Sequence, residues 1–301
     1  MKIKELDKFN GSYHDSFCAI YSMVGYETEQ LYKRYHSDAI NDIKSYQSRI
    51  LYKTVKTIYT LYKVISDLQD YNSAGALIRV IADTLSSYNL IYHENDEETK
   101  MLRHYLYILD GLSDREKLFS KQKPKYDDNI SVDDYNALLY KIANTYDNTI
   151  KGIDFCKEQI SHLELYKKNC ECVKTLINNR NWKFYGFDNT TKRYNWPEMY
   201  KKLFVNETVA DAFVFLSQYV HGLSISNLIT ELDDIELYEP YYSYGIVMLG
   251  KVRNFIETDF GMSRKELING FEKSEFCKDY ILCLSEIEKR KILEMFSNSK
   301  R

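Results

Sequence analysis

The stretch VNETVADAFVFLSQYVHG, residues 205–222, reads as one helix with a defined start and stop. Asn206 suits the N-cap, where a side-chain oxygen accepts from a first-turn N–H. Glu207 follows at the positive end of the helix dipole. Gly222 suits the left-handed conformation that ends a helix. Between them Val209, Phe213, Leu216 and Val220 recur at helical spacing. Ala212 and Phe215 widen that stripe, so the helix is expected to be mostly buried. Ser217 and His221 stand four residues apart and share a face. His221, in the last turn, is the leading candidate for a chemical group, because imidazole exchanges its proton near neutral pH.

Outward from this helix, the whole chain has the composition of long uninterrupted helices. Only 3 prolines and 11 glycines occur in 301 residues, and these are the main chain breakers. The length is ample for a sizeable core. Tyrosine is abundant at 28 residues, and its amphipathic ring suits half-buried helix faces. Formal net charge is −3, which argues against a general nucleic-acid coat or a polybasic membrane anchor. The first residues lack an apolar stretch of signal-peptide length, and no apolar run of spanning length occurs, so no membrane partner and a cytoplasmic location are expected. Six cysteines, at 18, 156, 170, 172, 277 and 283, form neither a C-x-x-C pair nor a regular framework. Free thiols are expected, with no metal and no cofactor.

The expected fold is all-α, a multi-helix bundle with a long N-terminal helical hairpin. Residues 1–70 would form the hairpin, packed on a bundle core of residues 71–301. A first helix spans 12–35, with Phe17, Ile20, Tyr21, Val24, Leu31 and Tyr35 as its stripe. His14 and His36 flank it and read as surface residues. A second helix spans 38–68. Leu51, Val55, Ile58, Tyr62 and Ile65 alternate steps of four and three, the spacing of a coiled-coil seam. That seam suits the intramolecular hairpin, and a homodimer or a protein partner would use it too. Asn72 or Ser73 would cap a third helix, 74–92, which is apolar nearly all round and therefore central. A fourth ends near Lys121. A fifth starts at Ser131 or Asp133 and runs to about Leu163, with a sixth, 164–179, as its continuation. A short amphipathic piece, 197–204, precedes the helix already described. Residues 228–239 read as acidic and irregular. A further helix, 241–258, carries Gly245 and Gly250, which would let a neighbour approach closely. Two amphipathic pieces, 264–271 and 281–296, close the chain.

Two features outside residues 205–222 could carry chemistry. Arg79 and Asp83 lie four apart inside the apolar third helix. A buried pair rarely stabilises a fold on balance, so it points to specificity, to chemistry, or to an ion pair that fixes helix registry. The second feature is the break at residues 181–197. It holds both tryptophans, Trp182 and Trp196, among Phe184, Tyr185, Phe187 and Tyr194. Residues 167–202 carry nine basic and three acidic side chains. Basic residues interleaved with aromatics suit single-stranded nucleic acid, through phosphate contacts and base stacking. Lys183, Lys192, Arg193, Trp182 and Trp196 are the candidates. The competing reading is a loop whose rings plug the bundle while its lysines stay in water.

No G-x-x-x-x-G-K-[ST], G-x-G-x-x-G, H-E-x-x-H or G-x-S-x-G occurs. What does occur is Leu77-Ile78-Arg79-Val80-Ile81-Ala82-Asp83, then Trp196, then Leu216-Ser217-Gln218-Tyr219-Val220-His221. This order of an Arg-x-x-x-acid helix, a Trp segment and a Leu-Ser-x-x-x-His helix resembles a widespread bacterial family of all-helical proteins that carries no assigned function. Such proteins are similar to HEPN-type helical bundles, some of which are ribonucleases of toxin and phage-defence systems. The resemblance covers about residues 70–260. An RNA or phosphorylated ligand is expected from the net +6 charge of residues 167–202. HEPN nucleases place Arg and His four to six residues apart on one helix, whereas Arg79 and His221 belong to two. As an enzyme, the chain would use His221 as general acid/base, Arg79 to stabilise a phosphate, and Asp83 to orient either, with Ser217 nearby. As a non-catalytic binding module, it would use Arg79, Asp83, Ser217 and His221 as a buried polar network registering the central helices.

Overall fold

A computed structural model describes residues 13–93, 95–122, 124–127, 129–204, 206–220, 238–263, 266 and 269–282; at 218–220, 238–239 and 279–282 the description is of the backbone alone. Among these residues the chain is all-α. The helices are α1 (Tyr13–Arg34), α2 (Ile43–Lys63), α3 (Tyr71–Tyr92), α4 (Glu97–Ser120), α5 (Val132–His162), α6 (Glu164–Lys168), α7 (Cys170–Asn179), α8 (Trp196–Leu203), α9 (Glu207–Val220), α10 (Tyr238–Phe260) and α11 (Glu275–Leu282). A π-helical turn, Val64–Leu68, extends α2, and a 3-10 turn, Phe271–Lys273, precedes α11. The expected helix over 241–258 is therefore present and longer. Most of the piece over 281–296, and most of the stretch over 228–239, lies outside the described residues.

The chain forms two compact units. Unit 1 comprises residues 1–89 and 196–301, and unit 2 comprises 90–195. The first two helices thus share a unit with α8 to α11, and the division falls within α3.

In unit 1, α1 packs on α2, α10 and α11, and α2 packs on α10 as well. The α2 seam is filled within the chain: Leu51, Val55, Ile58 and Ile65 are buried. Each such side chain withdrawn from water contributes about 1.5–3 kcal/mol to folding. Ile78, Ile81, Leu85 and Tyr88 bury one side of α3, while Val80 on the other is half-exposed. Gly245 behaves as its type suggests, since a Cβ there would overlap the Phe17 ring. Gly250 does not: nothing lies within 4 Å of where its Cβ would be. In unit 2, α4 and α5 run as an antiparallel pair, and α4 also packs on α6 and α7. Leu102, Tyr105, Leu106, Ile153, Cys156, Ile160, Val173 and Leu176 form its core.

Caps fix the helix starts. Asp42, Asp96 and Ser131 each accept from the backbone N–H three residues on, at the starts of α2, α4 and α5. The cap of α3 is Asp70, which accepts from the Ser73 N–H at 3.0 Å, rather than Asn72 or Ser73. Between α5 and α6, Leu163 is extended, with ψ 141°, so the sixth helix does not continue the fifth.

Candidate functional site

The helix over residues 205–222 forms as α9. Asn206 accepts from the Thr208 N–H at 3.0 Å and caps it. Ala210, Phe213 and Leu216 are buried, as the spacing requires. Phe215 and Val214 are not: they are 45% and 37% exposed. The apolar stripe is therefore narrower than its sequence suggests. His221 and Gly222 lie outside the described residues, and Ser217 and Val220 are within them. The Ser217 hydroxyl donates to the Val214 carbonyl at 2.7 Å. That bond turns the hydroxyl back onto its own helix, a geometry suited to local satisfaction rather than attack on a substrate.

Arg79 is where α3, α8 and α9 meet. Its Nη1 donates to the Phe213 carbonyl of α9 at 2.9 Å, and its Nε stands 3.0 Å from the Asp83 carboxylate one turn along α3. The Nε–H is not aligned with an acceptor, so that second contact is Coulombic. The guanidinium lies over two rings of α8, 4.8 Å from the Tyr200 centroid and 5.8 Å from that of Trp196. Tyr200 is fully buried, and its hydroxyl donates a short hydrogen bond to Asp83. Burial, then the Asp83 carboxylate, push the Tyr200 phenol far above its ordinary value, so it stays a donor. Its ring packs in turn on Phe213, at 5.9 Å. Arg79 side-chain exposure is 11% and that of Asp83 is 30%. All of these partners belong to unit 1.

Sequence alone brought out Arg79, Asp83, Ser217 and Trp196, but not Tyr200. Tyr200 completes the cluster, and its only sequence signal is its place one turn after Trp196 on an amphipathic piece.

The basic aromatic segment forms a small hairpin in unit 2. Phe184 and Arg193 pair in an isolated antiparallel bridge, and the Tyr194 N–H donates to the Lys183 carbonyl at 2.8 Å. The Asn181 amide closes it from inside, donating to the Thr190 and Lys192 carbonyls at 2.8 and 3.2 Å. Across the hairpin, Tyr185 and Tyr194 stack with centroids 3.9 Å apart and planes 15° apart. The Lys192 ammonium lies 4.2 Å from the Tyr185 centroid, and that of Lys183 lies 4.9 Å from the Trp182 centroid. Lys192 and Arg193 are exposed.

Neither tryptophan serves as an open stacking platform. Trp182 is 7% exposed and stands edge-on to Tyr107, so a base could not reach its face. Trp196 belongs to unit 1, where it stacks on Tyr200 beside Arg79. Several cations of residues 167–202 are already paired: Lys167 with Glu164, Lys174 with Glu171, Arg180 with Asp114, and Lys201 with Glu207.

The hairpin depends on a residue the sequence did not single out. Arg103 of α4 donates to the Trp182 carbonyl at 3.2 Å and to the Phe184 carbonyl at 2.8 Å. Its guanidinium lies 4.3 Å from the Phe184 ring centroid. It is 5% exposed, and burial lowers its pKa to about 10, so it remains charged at neutral pH.

Among the described residues no three His, Cys, Asp or Glu side chains group as metal ligands do, and no helix is long and apolar enough to cross a membrane. No family model matches the chain, and no curated protein or solved structure matches it.

Proposed function

We propose that this chain is a non-catalytic helical binding module whose recognition element is the hairpin of residues 181–195, and that its ligand is single-stranded RNA. The observation that carries the reading is the stacked Tyr185–Tyr194 pair with exposed Lys192 and Arg193 on the same hairpin. The exposed cations offer a charge to any phosphate of the strand, and the stacked rings fix the hairpin that presents them. The likeness to HEPN-type bundles supports the same ligand class in a bacterial cytoplasm. Catalysis is left out because Arg79, Asp83 and Ser217 are each engaged within the fold. In this reading they register α3, α8 and α9 as a structural network.

The test uses the full chain and a single-stranded RNA at low salt. Reversing Lys192 and Arg193 to glutamate is expected to weaken binding and to flatten its salt dependence. The log–log slope should fall by about 0.7 for every phosphate the protein no longer neutralises. Failure of the parent protein to retard RNA would overturn RNA as the ligand. RNA cleavage by the parent that disappears in His221→Ala would instead establish His221 as a catalytic group and overturn the non-catalytic reading.

A further inference from the structure

The first turns of α1 hold an arrangement outside both features above. His14 and Cys18 lie four residues apart on α1, and so share a face. The Cys18 Sγ stands 3.8 Å from His14 Nε2. On its other side, His14 Nδ1 lies 3.1 Å from an Asp15 carboxylate oxygen. A carboxylate at Nδ1 holds the proton there in the neutral ring, which leaves the Nε2 lone pair facing the thiol. The Tyr62 hydroxyl of α2 is also near Nε2, at 3.4 Å.

Packing fixes the imidazole in this orientation. Its ring stands edge-on to Tyr242 of α10, at 5.5 Å and 89°, and tilted against Tyr62, at 5.7 Å and 40°. Phe17, beneath, packs on both of those tyrosines. Yet the chemistry faces water. The side chains of His14 and Asp15 are 43% and 42% exposed, and Cys18 is half-buried. His14 is thus more than the surface residue its place at the helix start suggests.

We propose that Cys18 is a nucleophilic thiol served by His14 as base and Asp15 as its orienting carboxylate, and that it reacts with small hydroperoxides. A base whose far nitrogen is held by a carboxylate, set against a sulfur nucleophile, is the pattern that activates a thiol. The Cys18 proton passes to His14 Nε2. The thiolate attacks one oxygen of the hydroperoxide, an S–O bond forms, and the O–O bond breaks. The departing oxygen takes the proton back from His14 and leaves as alcohol or water. Sulfur is oxidised by two electrons to a sulfenic acid, and the hydroperoxide is reduced by the same two. Tyr62 keeps its hydroxyl proton near the reaction, because burial and then the Cys18 sulfur hold its phenol well above the ordinary value.

Among the other described thiols, Cys170 opens α7 beside Lys174 and Tyr166, and the remaining three have neither a cation nor an imidazole against the sulfur. Cys156 and Cys277 are buried, and burial pushes the Cys156 thiol up to about 11. Cys172 donates to the Phe187 carbonyl at 3.4 Å. It is half-buried like Cys18 and serves as the internal reference.

The experiment is peptide-resolved labelling of the full-length protein. Iodoacetamide reports nucleophilicity across pH, and hydrogen peroxide followed by a sulfenic-acid trap reports oxidation. At pH 7 Cys18 is expected to alkylate severalfold faster than Cys172, because an imidazole stands ready to take its proton. His14→Gln should remove that advantage and move the rise in rate to the pH of an ordinary thiol, and Asp15→Asn should do so in part. The titratable groups around the thiol are His14 and Asp15 on α1, Tyr62 on α2 and Tyr242 on α10, and the Lys63 ammonium, paired with Asp67, lies 5.5 Å from the Tyr62 ring centroid. Lys63→Met should leave the pH profile in place. Equal rates at Cys18 and Cys172 in the parent would overturn the proposal without any variant having to fold. So would an unchanged profile in His14→Gln. Rapid alkylation without trapped sulfenic acid would overturn the assignment of hydroperoxide.

Discussion

Arg79 and Arg103 are both buried, and they are satisfied in different ways. Arg79 has an acid on its own helix, Asp83, and one carbonyl across the unit, that of Phe213. Arg103 has two carbonyls of one loop, and among the described residues no carboxylate pairs with it. Each lies over an aromatic ring, Tyr200 for one and Phe184 for the other. In the first case the charge is balanced and the arginine ties helices together. In the second the charge is met by dipoles, and the arginine shapes a loop. The burial of a cation therefore does not by itself say what the cation does. Its acceptors say it.

The largest effect should come from Arg103. Arg103→Ala removes donors from two carbonyls and leaves a void beneath Phe184, where an unmet buried polar group costs about 1–3 kcal/mol. A loss of about 3 kcal/mol in unfolding free energy is expected from urea titration, together with loss of the hairpin's protection from hydrogen exchange. Arg103→Lys should recover little, because one ammonium cannot reproduce the fork. If Arg103→Ala melted like the parent, the loop would be holding itself and the contrast with Arg79 would disappear.

How much of this could be read in the sequence depends on the distance over which each partner is found. The α2 seam, the Asn206 cap and the Arg79–Asp83 pair lie within a few residues, and the structure contains each of them. The partners that give Arg79 its role come from afar: the Phe213 carbonyl is 134 residues away, and Tyr200 lies 117 residues from Asp83. A backbone carbonyl has no sequence identity, so neither Phe213 nor the loop carbonyls on Arg103 could be foreseen. Gly245 and Gly250 look alike as letters, and only one faces a ring. Phe215 fits a helical stripe, yet the neighbours that decide its burial are non-local.

The middle effect tests the balanced arginine. Arg79→Ala leaves Asp83, among the described residues, with the Tyr200 hydroxyl alone, in a setting where breaking a buried pair costs about 3–5 kcal/mol. The Asp83 side chain is 30% exposed, so water offsets part of this, and about 2 kcal/mol is expected from denaturant titration. The double change Arg79→Met with Asp83→Leu should cost less than the single one, because no unpaired charge remains. A double variant less stable than Arg79→Ala would show that the pair is needed for more than its mutual neutralisation.

The smallest effect separates the two clusters by pH. Tyr200→Phe removes one hydroxyl donor and should cost about 1 kcal/mol at pH 7. Its pH signature is more telling than its size. The folded phenol is raised above its unfolded value near 10, so its contribution is fully present below pH 10 and is lost as pH rises beyond it. Arg103 has the opposite sign. Its folded pKa, about 10, lies below the unfolded one, so the unfolded chain binds more protons above pH 10 and stability gains there. Other phenols, that of buried Tyr105 and that of half-buried Tyr244 among them, are raised as Tyr200 is. The parent protein alone therefore reports a sum of opposing slopes. The difference between parent and Tyr200→Phe cancels every shared group and leaves the Tyr200 slope. Unfolding measured from pH 8 to 11 should show the gap between the two proteins closing as pH rises past 10. A gap that stayed constant would mean that the phenol ionises alike in both states, and that the Tyr200–Asp83 bond is not the proton-retaining contact described here.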